Sequence, residues 1–311
     1  MNPAVGGPSA ADRCQPGGSI ELNDARKEAG PSHPTSAGIQ AAPAPRRIKL
    51  MTFNLQVGIS TRAYYQYLTN GWQHFLPNAK RGKRLALIGE LLRGYDLVAL
   101  QEVDGGSFRS GNINQIDYLA SRADMPYRFQ QLNRNLGRFA QHSNGLLCRL
   151  PAARVENHRL PGPPGRGAIH ARFGIGDDAL HVFVAHLALG AKTQARQLDY
   201  LSELISPLRH VVLMGDLNCT VEQMRKHPRF FESIDLQPLE ALLSYPAWQP
   251  KRALDHILIS STLTVRQYSV LDQLFSDHLP VAAEIELPEA CAVALDEASD
   301  IWIPPPKTVL V

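Results

Sequence analysis

A chain of 311 residues with 32 lysines and arginines against 29 acidic residues carries a formal charge of only +3. With 44% hydrophobic and 20% charged residues it has an ordinary globular balance. No apolar run approaches the roughly 18–20 residues of a bilayer span, so a transmembrane class is excluded, as is a polybasic tether acting through the whole chain. Cys14, Cys148, Cys219 and Cys291 are scattered, with no CxxC spacing; they are expected as free thiols of a reducing, cytoplasmic protein.

Residues 1–46 are dominated by Pro, Gly, Ser and Ala. They cannot bury enough apolar area to offset their ordering entropy and are expected as a disordered tail. Glu21, Asp24, Lys27 and Glu28 deny them a secretory h-region. The alternation of residues 48–53 predicts a strand. An aromatic loop (Tyr64, Tyr65, Tyr67, Trp72) follows, then basic residues 80–84 opening a helix whose apolar face is Leu85, Ile88, Leu91 and Leu92.

Residues 97–100 read as a second strand and 115–122 as a short helix. Residues 127–172 read as the longest loop, with Arg128, Arg134, Arg138, Arg149, Arg154, Arg159, Arg166 and Arg172 facing the single acid Glu156. Such an excess suits an anionic substrate. Strands follow at 180–185 and 211–214, separated by a helix carrying Leu198, Leu201, Leu204 and Ile205. A short helix at 221–226 and strands at 257–259 and 281–287 complete a layered α/β or α+β pattern. From residue 289 onward a loosely packed C-terminal tail is expected, leaving 47–288 as one folded domain.

Polar clusters border the apolar runs: Asn54 in Thr52-Phe53-Asn54, Glu102 in Gln101-Glu102-Val103, His186 in Ala185-His186-Leu187, Asp216 and Asn218 in Gly215-Asp216-Leu217-Asn218, Asp255 in Leu254-Asp255-His256, and Asp277 and His278 in Ser276-Asp277-His278. Together they suit metal-assisted attack on a phosphate. Mg²⁺ takes oxygen ligands and keeps several waters, so Glu102 and Asn54 would suffice. No His-rich or Cys-rich set favours zinc. A His beside carboxylates is a common proton-handling arrangement. By strand alternation His256 points away from Asp255, whereas Asp104 shares the face of Glu102.

In this order the clusters resemble the endonuclease/exonuclease/phosphatase superfamily, over about three quarters of the chain. The resemblance implies a four-layer α/β sandwich, two packed β-sheets flanked by helices, with a Mg²⁺ site (Mn²⁺ as substitute) at one end. It implies Glu102 as principal metal ligand with Asn54 and Asp277 beside it. His186, Asp216, Asn218, Asp255 and His278 would be the catalytic set, with Asp255 orienting His278. Which of Asp216 and His278 takes the proton from water stays open. Asn144, in Asn144-Gly145-Leu146-Leu147-Cys148-Arg149, and Arg166, in Gly165-Arg166-Gly167-Ala168, resemble substrate-side segments, and Arg109 is a further candidate phosphate contact. The implied activity is phosphodiester hydrolysis. Its partner would be nucleic acid or, in the lipid reading suggested by His186-Leu187-Ala188-Leu189-Gly190, a phospholipid head group. A catalytically silent binding protein is the contrasting class.

Overall fold

The apolar runs become the central strands of two six-stranded sheets. The computed structural model describes residues 45–56, 79–139 and 141–299, with the side chains of 79–81, 109, 228 and 299 outside the description. All of these residues belong to the unit 44–311. The expected N-terminal tail up to residue 44 and the aromatic loop at 64–72 lie outside the described residues.

The strands are β1 (Arg47–Asn54), β2 (Leu97–Val103), β3 (Tyr127–Asn135), β4 (Gln141–Cys148), β5 (Arg154–Arg159), β6 (Gly167–Phe173), β7 (Leu180–His186), β8 (His210–Asp216), β9 (Gln237–Pro238), β10 (Asp255–Ile259), β11 (Thr264–Val270) and β12 (Val281–Glu286). The helices are α1 (Ala79–Leu92), α2 (Gln115–Arg122), α3 (Ala191–Ile205), α4 (Val221–Arg225), α5 (Pro228–Glu232) and α6 (Glu289–Ser299). One sheet has the order β11-β12-β1-β2-β4-β3 and the other β5-β6-β7-β8-β10-β9. Each contains one parallel pair, β1 with β2 and β7 with β8. Parallel neighbours require a long crossover, and α1 and α3 fall within the two crossovers.

Side-chain alternation builds the layers. Ile48 and Leu50 of β1, Val182 and Val184 of β7, and Val212 and Met214 of β8 meet in the core between the sheets. The intervening Met51 and Phe53 pack under α1 and α2, and Phe183, Val211 and Leu213 pack under α3, α4 and α5. Each such fully buried side chain contributes roughly 1.5–3 kcal/mol. The result is the expected α/β sandwich, two sheets face to face with helices outside. Among the described residues no helix is long and apolar enough to cross a membrane.

Two expectations are corrected. The arginine-rich stretch 127–172 is four strands, β3 to β6, rather than a loop. Four of its arginines, Arg128, Arg134, Arg154 and Arg159, lie on β3 and β5, the edge strands of their sheets, where solvent-facing charge is tolerated. Several of its arginines are also spent locally. Arg128 pairs with Asp117 and Arg154 with Glu156, while Arg149 donates to the carbonyls of Arg93, Tyr95, Ala123 and Asp124. The expected C-terminal tail begins instead as helix α6, because the small and apolar run Ala290–Leu295 is compatible with a packed helix and places Cys291 and Leu295 in the inter-sheet core.

Candidate active site

At one end of the sandwich the inward-facing row of each central strand changes from apolar to polar. In β1 the row Ile48, Leu50, Thr52 ends in Asn54; in β7 Val182 and Val184 are followed by His186; in β8 Val212 and Met214 are followed by Asp216. The antiparallel β10 reaches the same end with Asp255, ahead of Ile257 and Ile259, and β4 with Asn144, ahead of Leu146 and Cys148. The cross-strand pairs His186 with Asp216 and Asp255 with Asp216 put these groups side by side. Gly215 makes the close approach possible: its φ is +152°, and a Cβ there would lie 1.9 Å from the Ala185 carbonyl oxygen.

Glu102 does not follow alternation. Val98 and Leu100 face the helices, and Glu102 would follow them in a regular strand. A register shift between Leu100 and Val103 against β4, with a left-handed φ of +53° at Glu102, turns it towards the cavity instead. Bulges commonly re-aim side chains in this way beside functional sites.

Polar contacts join the two sheets at this end. Asn54 Nδ2 donates to Asp216 Oδ2 at 2.9 Å, and its Oδ1 accepts from the Gln56 amide at 3.0 Å. Asn144 Nδ2 donates to the Gly167 carbonyl at 2.9 Å. Glu102 lies 4.0 Å from His186 Nε2, which is 3.5 Å from Asp216 Oδ2. His278 Nδ1 is 2.7 Å from Asp255 Oδ2, and its Nε2 is 3.9 Å from Asp216 Oδ2. The Arg166 guanidinium lies against the His186 ring, one nitrogen 2.7 Å from Nδ1. Asn218, at φ +52°, has its backbone N–H on Asp216 Oδ1 and its side chain on the Leu187 carbonyl.

The electrostatics sort these groups. Burial, then the neighbouring Asp277, raises the pKa of Glu102. Burial pushes Asp216 up to about 7, opposed by His278 and by hydrogen bonds from Asn54 and Asn218. Burial alone would lower His278, but Asp255, Asp216 and Asp277 outweigh it and hold the imidazolium well above the ordinary histidine range. Burial, Arg166 and His278 keep His186 neutral, well below that range.

Asn54, Glu102, Arg166, Asp216, Asn218, Asp277 and His278 all line one cavity of about 310 Å³. A second cavity of about 180 Å³ shares Glu102 and Arg166 with it and is walled by Arg134, His142, Asn144 and His186. A third continues from Gly165 and Arg166 past Asn157 to Arg159.

A family model described as the Endonuclease/Exonuclease/phosphatase family matches residues 51–278. The chain belongs to the endonuclease/exonuclease/phosphatase family. Its sandwich is the phosphoesterase fold of that family, whose members are hydrolases acting on phosphoesters. Among solved structures, an endonuclease/exonuclease/phosphatase from Beutenbergia cavernae DSM 12333 superposes with a TM-score of 0.60 at 20% identity, over 79% of this chain and 72% of that one. A mannosyl-6-phosphatase from Bacteroides thetaiotaomicron gives 0.56 at 16% identity, covering 76% and 99%. D. rerio TDP2 complexed with a single-strand DNA product gives 0.53 at 15% identity, covering 77% and 98%. These likenesses establish the fold alone. No curated protein matches the chain.

Of the residues that sequence singles out, Asn54, Glu102, His186, Asp216, Asn218, Asp255, Asp277 and His278 converge, with Arg166 and Asn144 at the adjoining cavity. Arg109 falls in the 3₁₀ turn Phe108–Ser110, and its side chain is outside the described residues. Asp104 does not join the site; it accepts hydrogen bonds from the Gly106 and Ser107 amides and the Ser107 and Ser110 hydroxyls, organising the loop beyond β2. His256 points to the helix side, as alternation requires, and bonds the Cys219 carbonyl. Sequence reasoning missed Ser244, whose buried hydroxyl donates to Asp255 Oδ2 at 2.6 Å, and the cavity-lining Tyr245 and Arg252. No strand or helix period marks that segment.

Proposed function

We propose that the protein is a Mg²⁺-dependent phosphodiesterase of the nuclease-like kind, acting by water attack on phosphorus. The observation that carries this is the buried His278–Asp255 pair facing Asp216 across the cavity that also holds Glu102 and Arg166. The donor set fits a hard divalent cation: Glu102 and Asp277 are neighbouring carboxylates whose repulsion a cation would relieve, and Asn54 stands next to them. Glu102, with Asn54 and Asp277 beside it, would hold the ion. When bound, it would supply charge neutralisation at the phosphate oxygens; Mn²⁺ would substitute.

The chain's own groups divide the remaining work. Asp216, with its pKa near neutrality and two hydrogen bonds fixing its oxygens, takes the proton as water oxygen bonds to phosphorus. His278, held protonated by Asp255, donates from Nε2 to the charge that develops on the phosphate. The P–O bond to the leaving group breaks as the new bond forms, and the leaving oxygen takes a proton from solvent. Arg166, braced on His186, and Asn218 receive non-bridging oxygens. The run of cavities past Arg134 and Arg159 favours a polyanionic chain, hence nucleic acid. Leu189, 77% exposed at the mouth of the main cavity, supports a lipid head group as the second reading. The buried free thiols Cys148, Cys219 and Cys291 suit a cytoplasmic setting.

The test is Mg²⁺-dependent hydrolysis of bis-p-nitrophenyl phosphate, then of plasmid DNA, RNA, abasic duplex and phospholipid vesicles. Cleavage restricted to vesicles would overturn the nuclease reading; inertness on every substrate with every divalent metal would overturn the enzyme.

A further inference from the structure

We propose that Glu156, His158 and His170 form a second metal site, for a zinc-class ion, on the outer face of the second sheet. That face lies opposite the one bearing His186 and Asp216. On β5, Glu156 and His158 are two residues apart and share a face. Glu156 stands directly across from His170 on β6. One donor atom from each of the three residues lies within 4.8 Å of the other two, and Glu156 Oε2 is 3.8 Å from His170 Nδ1.

Other atoms of these side chains are held by neighbours outside the cluster. His170 Nε2 meets His181 Nδ1 at 2.9 Å, and the His170 ring stacks on Phe183 with centroids 4.1 Å apart. His158 Nδ1 meets the Tyr200 hydroxyl at 3.3 Å, while its buried Nε2 has no hydrogen-bond partner among the described residues. Arg154 takes Glu156 Oε1 and leaves Oε2 for the cluster. Partners on the far ring nitrogens, fixing tautomer and ring orientation, are what metal-ligating histidines ordinarily carry. An orphaned buried imidazole nitrogen is costly unless something fills the position.

Two imidazoles and one carboxylate select a borderline transition ion over Mg²⁺, so the two ends of the sheet's chemistry would take different metals. Three protein ligands leave a fourth position for water. All three residues are half-buried, which gives an ion access. A bound ion would pin the edge strand β5 to β6, a structural function independent of phosphate hydrolysis.

The experiment uses full-length Glu102→Ala protein, which lacks the principal carboxylate of the phosphoesterase site, stripped with chelator and titrated with Zn²⁺ and Co²⁺. The expected result is about one equivalent of tightly held Zn²⁺ by elemental mass spectrometry, with the visible absorption of four-coordinate Co²⁺. Adding His158→Ala and His170→Ala should abolish both. The conservative Glu156→Gln should weaken binding at least about tenfold, in the range that loss of metal-site partners produces, and covers the case in which the double variant does not fold. In the otherwise wild-type chain His158→Ala should leave Mg²⁺-dependent hydrolysis unchanged while removing a Zn²⁺-induced rise in thermal midpoint. Equal metal content with and without His158 and His170, or no retained Zn²⁺ in the Glu102→Ala protein, overturns the proposal.

Discussion

Replacing Asp255 by Asn tests the reasoning about proton handling most directly, because it removes a charge while keeping the side chain's shape. Asp255 Oδ2 lies 2.7 Å from His278 Nδ1, and this carboxylate is the first of the charges that raise the His278 pKa against its burial. A hydrogen bond to a charged group contributes roughly 1.5–3 kcal/mol. The Coulomb attraction at that separation, with an effective dielectric near 20, is about 6 kcal/mol. Between these bounds, a loss of about 3–4 kcal/mol of transition-state stabilisation corresponds to a fall in kcat of roughly 10²–10³. Asp255 is 1% exposed and does not line the cavity, so KM should stay within about threefold. With the carboxylate gone, only Asp216 and Asp277 oppose burial at His278, so its pKa falls and the alkaline limb of the pH–rate profile moves to lower pH. The assay is steady-state hydrolysis of bis-p-nitrophenyl phosphate across pH, with the thermal midpoint as a check on folding. A folded variant with kcat within about threefold of wild type and an unmoved alkaline limb would refute the role given to the pair.

Glu102→Gln should abolish Mg²⁺-dependent turnover without lowering the thermal midpoint of metal-free protein, since the repulsion with Asp277 is relieved; calorimetry of the stripped protein checks this. Chelation of wild type should remove activity, and Mg²⁺ or Mn²⁺ should restore it; activity that survives exhaustive chelation contradicts the metal-dependent reading. Burial, then the adjoining histidines and arginines, depresses His170 to about 3, and burial with Arg172 depresses His181 to about 4, from an ordinary value of 6.5. Both are neutral in the folded state, so the unfolded chain binds more protons below pH 6.5. The contribution of these two histidines to the stability of the metal-free protein is therefore full above that pH and declines as pH falls towards 4, with loss continuing to about 3. Urea midpoints of the wild type and of a His170→Gln/His181→Gln variant would run parallel across this window if those histidines titrated normally. Gly215→Ala places a methyl against the Ala185 carbonyl at an unfavourable φ; overpacking and strain together cost about 3–5 kcal/mol, a drop of roughly 10 °C or failure to fold, read by thermal denaturation.

The strands that build the core were readable because their apolar runs end abruptly in Asn54, His186 and Asp216, and a change from apolar to polar along one inward row is visible in one dimension. The edge strands were not. Arg154–Arg159 and Tyr127–Asn135 are polar because each lies at the edge of its sheet, so their pattern resembles that of a loop. The turn of Glu102 into the cavity depends on a bulge that no residue type announces; alternation alone sends it to the helices and brings Asp104 with it. Ser244 was hidden for a different reason: it reaches Asp255 through tertiary contact from an irregular segment. The same limit hid Glu156, His158 and His170, which only strand pairing brings together.

The hydrogen bond from Asn54 to Asp216 has one end in each sheet, so the separation of the two sheets is also the width of the site. The filling between them, Leu50, Val184, Val212, Met214 and Ile257, therefore acts as a spacer that sets a chemical distance. Trimming it far from any polar group would let the sheets settle closer or slide. Turnover would then report on the packing of residues that touch neither substrate nor metal.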